Sequence, residues 1–376
     1  MRPIATACLL AGVTVLLYSF QLGQAPLSAA ETIQLQQAQK IGGGTPLFFR
    51  VDGETWLQPM AVYATALFGA LGAGEVAGRA ASVLAGAINV ALVFAAARMI
   101  AGRDWVAIAG AVLLLVTPAH WLLARLGTAA IFPTPFVLAW LIGMLHFFRW
   151  DSMRSLALAG AALGAGTYAH PAAPLVMGWL WVMSLAALVA GRRLAARNFV
   201  ILGAAFAALL VPAAIWFSLY PETYPDTFGR WAILKAHLRM PMDGLRAQIN
   251  WNTLSNRTTL FWGLLDPSLL FFAGRGQAIA PLLLCSAVLV PLGAVRLMTS
   301  GETGTRILVL SAALIPPLVA STFGLPQDLS TVSPMVATAA LLAAAGMQGL
   351  ADRRNRWTWL AGAAVVVSMV QLFGLR

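Results

Sequence analysis

The sequence predicts an all-α integral membrane protein with about eleven transmembrane helices, and three observations support this prediction. Of the 376 residues, 60% are hydrophobic and only 10% are charged, a composition that excludes a water-soluble domain. The mean hydropathy is +0.81. The apolar residues also fall into segments long enough to cross a bilayer, and the polar residues collect in two loops, where we expect the function to lie.

The predicted spans are mainly apolar segments of about 17–25 residues, since a backbone group left unpaired in hydrocarbon is costly. They are Ile4–Phe20, Val76–Ala97, Trp105–Ala124, Ile131–Phe148, Ser155–His170, Ala172–Ala190, Phe199–Leu219, Ala278–Val295, Ile307–Phe323, Val332–Leu350 and Trp357–Phe373. Leu57–Leu71 is also apolar, but it is short and contains Pro59, so we interpret it as a helix at the membrane interface. Residues 1–376 then form a single membrane domain.

The charge distribution predicts the orientation, because short cytoplasmic loops hold an excess of Lys and Arg. A cytoplasmic N-terminus places Arg98, Arg149, Arg193 and Arg296 inside. Nine of the 13 acidic residues then lie outside: Glu31, Asp52, Glu54, Glu75, Glu222, Asp226, Asp243, Asp266 and Asp328. We therefore predict an N-terminus in the cytoplasm and a C-terminus outside it. The heavy use of Ala, Gly, Arg and Leu suggests a GC-rich bacterium, and we expect the chain to lie in the bacterial inner membrane.

The formal net charge of +11 is explained by basic clusters at the ends of the predicted helices. Such clusters are attracted to anionic lipid headgroups. Membrane lipids are therefore expected partners of the chain, whereas nucleic acid is not.

Two outer loops contain most of the polar residues. The first, residues 21–75, carries Glu31 and is predicted to be helical over Thr32–Ile41. The second, residues 220–277, mixes aromatic side chains with cations, among them Arg257, and amphipathic pieces of it are expected to lie on the outer leaflet. Aromatic belts explain part of this pattern. A guanidinium fork in the loop is also suited to binding a phosphate.

The histidines and cysteines are scattered along the chain. His120 and His170 both approach the predicted outer face, and ionisable groups at that depth usually have a partner, so a shared polar site is one hypothesis. Cys8 and Cys285 lie inside predicted spans and form neither a disulfide framework nor the usual spacing of a zinc site. No metal site is predicted from these residues.

The order of these features resembles the GT-C membrane glycosyltransferases, above all the protein O-mannosyltransferases and the aminoarabinose transferases. The resemblance covers most of the chain. It is carried by Ser28-Ala29-Ala30-Glu31 in the first outer loop, Trp56-Leu57-Gln58-Pro59, Arg79 at the start of the second span, Arg125-Leu126-Gly127, and Phe261-Trp262 with Asp266-Pro267-Ser268-Leu269.

The resemblance implies that a sugar passes from a polyprenyl-phosphate donor to an acceptor outside the cytoplasm. Such chemistry needs a base for the acceptor hydroxyl and cations for the leaving phosphate. The residues assigned to these roles are Glu31 as base and Arg79, Arg125 or Arg257 as phosphate ligand. Asp266 joins His120 and His170 as a candidate for a polar site. No cofactor is assigned, and the use of a divalent metal ion stays open.

The sequence departs from the family pattern at several positions. The family usually has an Asp-Glu pair in the first outer loop, where this chain has Ala30-Glu31, and Thr128-Ala129-Ala130 replaces an expected acidic residue. Two main hypotheses follow. The protein is an active glycosyltransferase, or it is a catalytically inactive GT-C subunit or scaffold within a larger membrane complex. A transporter is a third, since fold alone does not fix function.

Overall fold

A computed structural model of the chain describes residues 3–41, 47–51, 55–220, 251–272, 280–322, 329–330 and 332–352. Helices dominate this part of the chain. They are α1 (Pro3–Ser19), α2 (Ala29–Gln39), α3 (Pro59–Ala70), α4 (Ala77–Ala101), α5 (Asp104–Val116), α6 (Pro118–Arg125), α7 (Pro133–Trp150), α8 (Met153–Gly166), α9 (Ala173–Ala190), α10 (Ala196–Leu219), α11 (Trp251–Leu264), α12 (Pro267–Phe271), α13 (Ser286–Ser300), α14 (Thr303–Thr322) and α15 (Ser333–Asp352).

Six of the described helices are long and apolar enough to cross a membrane, namely those over Gly74–Ala101, Ala129–Trp150, Ala173–Ala190, Ala196–Leu219, Thr303–Thr322 and Ser333–Asp352. A seventh span is formed if α5 and α6 count as one, although they meet at an angle of 61°. The break falls at Pro118, which has no N–H to continue the helix. The protein is thus a multi-pass membrane protein, and the part of the chain that the structure describes does not confirm the predicted number of eleven spans.

Other predicted segments differ in detail. Helices α1 and α13 occupy predicted spans but are shorter, and α3 is a short apolar helix where an interfacial helix was predicted. Helix α2 overlaps the Thr32–Ile41 segment that was predicted to be helical, but it begins and ends earlier. The last predicted span, Trp357–Phe373, and residues 221–250 of the second outer loop lie outside the described residues.

The described secondary-structure elements are helical as predicted, apart from one short hairpin in the first outer loop. Strands β1 (Phe49–Val51) and β2 (Thr55–Leu57) form an antiparallel hairpin in which Phe49 is opposite Leu57. The sequence between the strands contains Asp-Gly, a pair favoured in tight hairpins. Phe49 packs with Ala38 of α2 and Val62 of α3. Burial of these side chains against α2 and α3 stabilises a hairpin that would be marginal alone.

Helices α4 and α15 form the centre of the bundle. Helix α4 contacts α1, α3, α5, α6, α7 and α15, and α15 contacts α13 and α14 as well. Nearly every residue of α15 is buried. Small residues permit this close packing, because a Cβ on Gly293 would lie 1.8 Å from the Leu342 carbonyl oxygen, and small residues let membrane helices approach one another.

Helix α10 is different, because only Asn198 and Leu202 are buried along it. It packs on α8, where a Cβ added to Gly160 would lie 2.4 Å from the Leu202 oxygen and one added to Gly164 would lie 2.7 Å from the Phe206 oxygen. The Gly160–Gly164 pair, spaced by one helical turn, therefore positions α10 beside the rest of the bundle.

Candidate functional site

The first outer loop begins with a capping box at the start of α2. The Ser28 hydroxyl accepts a hydrogen bond from the backbone N–H of Glu31 at 3.3 Å, and Glu31 Oε2 accepts one from the backbone N–H of Ser28 at 2.8 Å. This reciprocal pair satisfies two N–H groups that a helix start leaves unpaired. The hydrogen bond from the Ser28 N–H thus orients the Glu31 carboxylate toward the residues that precede α2.

Glu31 forms a buried ion pair with Arg79, which lies in the first turn of α4. Arg79 Nε lies 2.7 Å from Glu31 Oε1, and Arg79 Nη2 lies 3.0 Å from Oε2, so the contact is bidentate. The two side chains are 4% and 6% exposed. The backbone N–H of Gly127 adds a further hydrogen bond to Oε1 at 2.9 Å. The carboxylate therefore accepts four hydrogen bonds.

The other N–H groups of Arg79 bind the chain between α1 and α2. Nη1 donates to the carbonyl oxygens of Leu22 at 2.9 Å and Ala25 at 2.8 Å, and Nη2 donates to that of Pro26 at 2.9 Å. A guanidinium has five N–H donors, and all five are occupied. In this arrangement Arg79 has no donor left for a lipid phosphate.

These contacts decide the charge of Glu31. Burial raises the pKa of the Glu31 carboxyl. The hydrogen bonds from Arg79, Ser28 and Gly127 together lower it by more than burial raises it, so the pKa falls to about 2. A general base works best when its pKa is near the working pH. The Glu31 carboxylate is therefore ionised at neutral pH and is a weak proton acceptor.

Arg125, at the end of α6, has a similar structural role. Its Nη1 donates to the carbonyl oxygens of Tyr18 at 2.7 Å and Phe20 at 2.6 Å, and its guanidinium lies 4.7 Å from the centre of the Trp121 ring. These carbonyls are at the C-terminal end of α1, where a cation is favourable. Arg125 thus holds α1 to α6.

Arg257 of α11 is the third candidate phosphate ligand. Its Nη1 makes one long contact, 3.4 Å to the carbonyl oxygen of Ser321 near the end of α14. Burial lowers the pKa of Arg257, because the cation loses water without a compensating carboxylate among the described residues. Of the three arginines, Arg257 is the one that makes the fewest hydrogen bonds to the described residues.

The predicted polar site of His120, His170 and Asp266 is divided among separate partners. Tyr18 donates its hydroxyl proton to the Leu115 carbonyl at 2.7 Å and lies 2.9 Å from His120 Nδ1. His120 must then donate from Nδ1. Asp266 accepts from the backbone N–H of Ser268 at 2.9 Å as the N-cap of α12.

His170 lies elsewhere, with its Nε2 3.4 Å from the Ser330 hydroxyl and its Nδ1 accepting from the backbone N–H of Ala172 at 3.2 Å. Within the described ranges, no group of three or more His, Cys, Asp or Glu side chains is arranged to hold a metal ion.

An apolar cavity of about 340 Å³ opens near the outer loop, between the hairpin side of the molecule and α10. Its walls include Phe48, Tyr168, Phe206 and Phe217, and the Phe48 and Phe217 rings stack at 5.4 Å. Gln58 is buried and also lines the cavity, and its side-chain oxygen has no hydrogen-bond partner in the described part of the chain. Such an acceptor in an apolar wall favours a ligand with a hydrogen-bond donor.

Tyr168 lines this cavity and also forms hydrogen bonds with the backbone of α10. Pro212 interrupts the hydrogen-bond ladder of that helix. The Tyr168 hydroxyl donates to the Leu209 oxygen at 2.6 Å and accepts from the Ala213 N–H at 3.2 Å, bridging two groups that normally bond to each other. A side chain inserted in this way is a recognised cause of helix bending.

Sequence reasoning missed two groups of this region. Gly127 was noted only as part of Arg125-Leu126-Gly127. A Cβ at this position would lie 3.1 Å from the backbone nitrogen of Arg79, so no larger residue fits without a shift. The sequence signal for Gly127 was its position two residues after Arg125, a predicted site residue. Tyr168 had no signal, because its partners in α10 are more than forty residues away.

The sequence and the fold are both similar to known membrane glycosyltransferases. Residues 57–216 match the family described as dolichyl-phosphate-mannose-protein mannosyltransferase. The fold is similar to that of ArnT from Cupriavidus metallidurans bound to undecaprenyl phosphate, with a TM-score of 0.66 and 18% identity over 96% of this chain and 62% of that one. The apo structure of that protein gives a TM-score of 0.67 and 17% identity, over 97% and 63% of the two chains.

The chain therefore spans less than two thirds of the length of these ArnT structures. No curated protein sequence matches it. The architecture defines a multi-pass membrane protein with the GT-C fold. The predicted resemblance to the GT-C membrane glycosyltransferases is confirmed by the family match and by the fold.

Proposed function

We propose that this protein binds a polyprenyl-phosphate lipid at its outer end and transfers the sugar carried by that lipid to an extracytoplasmic acceptor. The observation that carries the proposal is the apolar cavity beside Gln58, which is bounded by the first outer loop and α10. Apolar pockets with a few placed polar groups are typical ligand sites. The undecaprenyl phosphate bound to ArnT, a protein of similar fold, supports a lipid of this class.

In this proposal the parts of the lipid occupy different groups. The isoprenoid chain lies against Phe206 and Phe217, on a helix that also faces the membrane. The phosphate lies near Arg257, whose contact Ser321 is at the outer end of α14, a helix that packs on α9. The first turn of α9 contributes Pro174 to the cavity. A sugar hydroxyl supplies the donor that the Gln58 oxygen lacks.

The Glu31–Arg79 pair frames this site in the proposal and does not react. Both side chains are fully hydrogen-bonded, and together they fix the positions of residues 22–28, Gly127 and the start of α4. The base then belongs to another group. Asp52 and Glu54, also in the first outer loop, lie outside the described residues.

The state of Glu31 also favours a second candidate function. If Glu31 occupies the position of the base and no other carboxylate replaces it, the protein binds the lipid without transferring sugar, as a subunit of a larger membrane complex. Both functions place the chain in a bacterial inner membrane, with its N-terminus in the cytoplasm.

Release of the lipid phosphate distinguishes these functions, because that product is common to every sugar. Purified protein in nanodiscs would be given a panel of undecaprenyl-phosphate sugars together with a membrane extract as the source of acceptor. Release above that of a heat-denatured control supports transfer. Binding of the lipids with no release supports the subunit, and absence of binding contradicts both.

We expect Arg257→Ala to weaken the binding of undecaprenyl phosphate by about ten- to a hundredfold, since a charge-assisted contact contributes about 1.5–3 kcal/mol. Arg257→Lys should restore only part of the affinity, because an ammonium lacks the planar fork. Affinity would be measured by native mass spectrometry across a lipid titration. Arg154→Ala removes the same charge at the other end of the bundle and should leave the affinity unchanged; equal losses in both variants would refute the assignment.

A further inference from the structure

A second cavity, of about 410 Å³, lies at the end of the bundle opposite Glu31. The two ends are connected by α4, in which Arg79 and Met99 are twenty residues apart, or about 30 Å at the rise of an α-helix. This cavity is surrounded by the C-terminal ends of four helices, α4, α7, α13 and α15, and by the start of α14. Its polar lining residues are Arg149, Arg296, Glu302, Thr305 and Gln348.

The cavity contains two cations with different environments. Arg296 Nη2 lies 2.9 Å from Asp352 Oδ2 in an ion pair. The Arg149 guanidinium lies 4.9 Å from the centre of the Trp150 ring, and its N–H groups make no hydrogen bond with the described residues. Stacking on an aromatic ring leaves the edge of a guanidinium available to a phosphate. The N–H groups of Arg149 are therefore suited to binding an anionic group of a ligand.

The same cavity also contains groups that favour a cation. Glu302 carries a carboxylate, and four helices end here against one that begins. The C-terminal end of a helix carries a partial negative charge from its last carbonyl groups. A ligand with negative charge alone would be opposed by Glu302 and by these helix ends. The charges match a ligand that has a phosphate and an ammonium close together.

The cavity is joined to apolar space at the edge of the bundle. A neighbouring cavity of about 320 Å³ shares Met99 and Arg149 with it and is lined by Ile4, Ala7 and Phe94. Ile4 is 77% exposed, so this second space opens to the surroundings of the bundle, which are lipid in a membrane. An acyl chain can lie there while its headgroup reaches Arg149.

We propose that this end of the protein binds phosphatidylethanolamine as a specific structural lipid. Its phosphate lies between Arg149 and Arg296, its ammonium lies at Glu302 and the carbonyl ends of the helices, and one acyl chain follows the space beside Ile4. This site is separate from the outer cavity and does not depend on the proposed sugar transfer.

The test compares three lipids with identical acyl chains: phosphatidylethanolamine, phosphatidylglycerol and phosphatidylcholine. The full-length protein would be exchanged into mixed nanodiscs, and the lipids it retains would be counted by native mass spectrometry. We expect about tenfold preference for phosphatidylethanolamine, because a trimethylated ammonium has no N–H donor and a glycerol headgroup has no cation. The ratio of retained lipids is measured within one folded population, so it is independent of how much variant protein folds.

Two variants separate the two halves of the headgroup. Glu302→Gln should reduce the preference for phosphatidylethanolamine over phosphatidylglycerol about tenfold, while Arg149→Ala should reduce retention of both lipids. The matched controls are Glu75→Gln, which is exposed at the outer end, and Arg154→Ala, which lines none of these cavities. Neither control should alter the ratio.

Three results would overturn the proposal. Equal retention of phosphatidylethanolamine and phosphatidylcholine would show that the ammonium is not recognised, and tighter retention of phosphatidylglycerol would show a purely anionic site. Displacement by water-soluble phosphoethanolamine at concentrations comparable to the lipid would assign the cavity to a free metabolite. Catalytic release of undecaprenyl phosphate is measured separately, so failure here leaves the outer site unaffected.

Discussion

Replacing Glu31 with glutamine is expected to lower the free energy of unfolding by about 3–5 kcal/mol, the range for breaking a buried ion pair by removal of one partner. The amide cannot balance the charge of Arg79, which is 6% exposed and has its other donors fixed on backbone carbonyls. The buried cation would be left uncompensated. Denaturant or thermal unfolding of the detergent-solubilised protein measures the loss.

A double-mutant cycle tests whether the loss comes from this pair. Arg79→Gln should be about as destabilising as Glu31→Gln, and the double variant should lose much less than the sum. Asp104→Asn is a matched control, because Asp104 and Arg98 lie 2.7 Å apart but are about half exposed, and exposed pairs contribute about 0–1 kcal/mol. A Glu31→Gln variant as stable as the parent, but inactive in lipid-phosphate release, would instead support Glu31 as the base.

The same pair predicts an acid-dependent stability. The pKa of Glu31 is about 2 in the folded protein, below the ordinary value of 4.5, so the ionised carboxylate contributes its full stabilisation of the folded state above about pH 4.5. This contribution should be lost as the pH falls from about 4.5 to about 2. Unfolding measured across this window should show a steeper acid loss in the parent than in Glu31→Gln. Parallel profiles would mean that the pair has no such role.

Replacing Gly164 with leucine is expected to displace α10 and to destabilise the protein by about 3 kcal/mol, at the upper end of the usual cost of overpacking. A Cβ at this position would meet the Phe206 oxygen at 2.7 Å and the Leu209 Cβ at 2.8 Å. The contact is mainly backbone, so no flexible side chain can move aside. Because Phe206 also lines the outer cavity, undecaprenyl phosphate should bind at least tenfold more weakly.

Gly178→Leu on α9 is the matched control, because no atom lies within 4 Å of a Cβ added there. It adds the same side chain to a neighbouring helix and should change neither stability nor lipid binding. Gly160→Leu should repeat the Gly164 result, since its Cβ would lie 2.4 Å from the Leu202 oxygen. Normal lipid affinity in both α8 variants would place the lipid away from the α10 wall.

The amino-acid sequence by itself determined the class of the protein and most of its helices. Long apolar segments are local features, and the bilayer requires them to close their own backbone hydrogen bonds. The loop helix, predicted over Thr32–Ile41 and observed over Ala29–Gln39, is also a local feature, because the capping box that starts it lies within the four residues from Ser28 to Glu31. The hairpin at residues 49–57 was missed because it depends on burial against α2 and α3.

Only the tertiary structure decided what the polar residues do. Glu31 was a plausible base in the sequence, and Arg79, Arg125 and Arg257 were equivalent cations. In the fold, Glu31 and Arg79 use their hydrogen-bonding capacity on each other and on nearby backbone, whereas Arg257 makes one long hydrogen bond within the described part of the chain. Partners of these side chains lie 48 to 107 residues apart along the chain. The role of an ionisable group is set by such distant partners and by burial, which a local pattern does not contain.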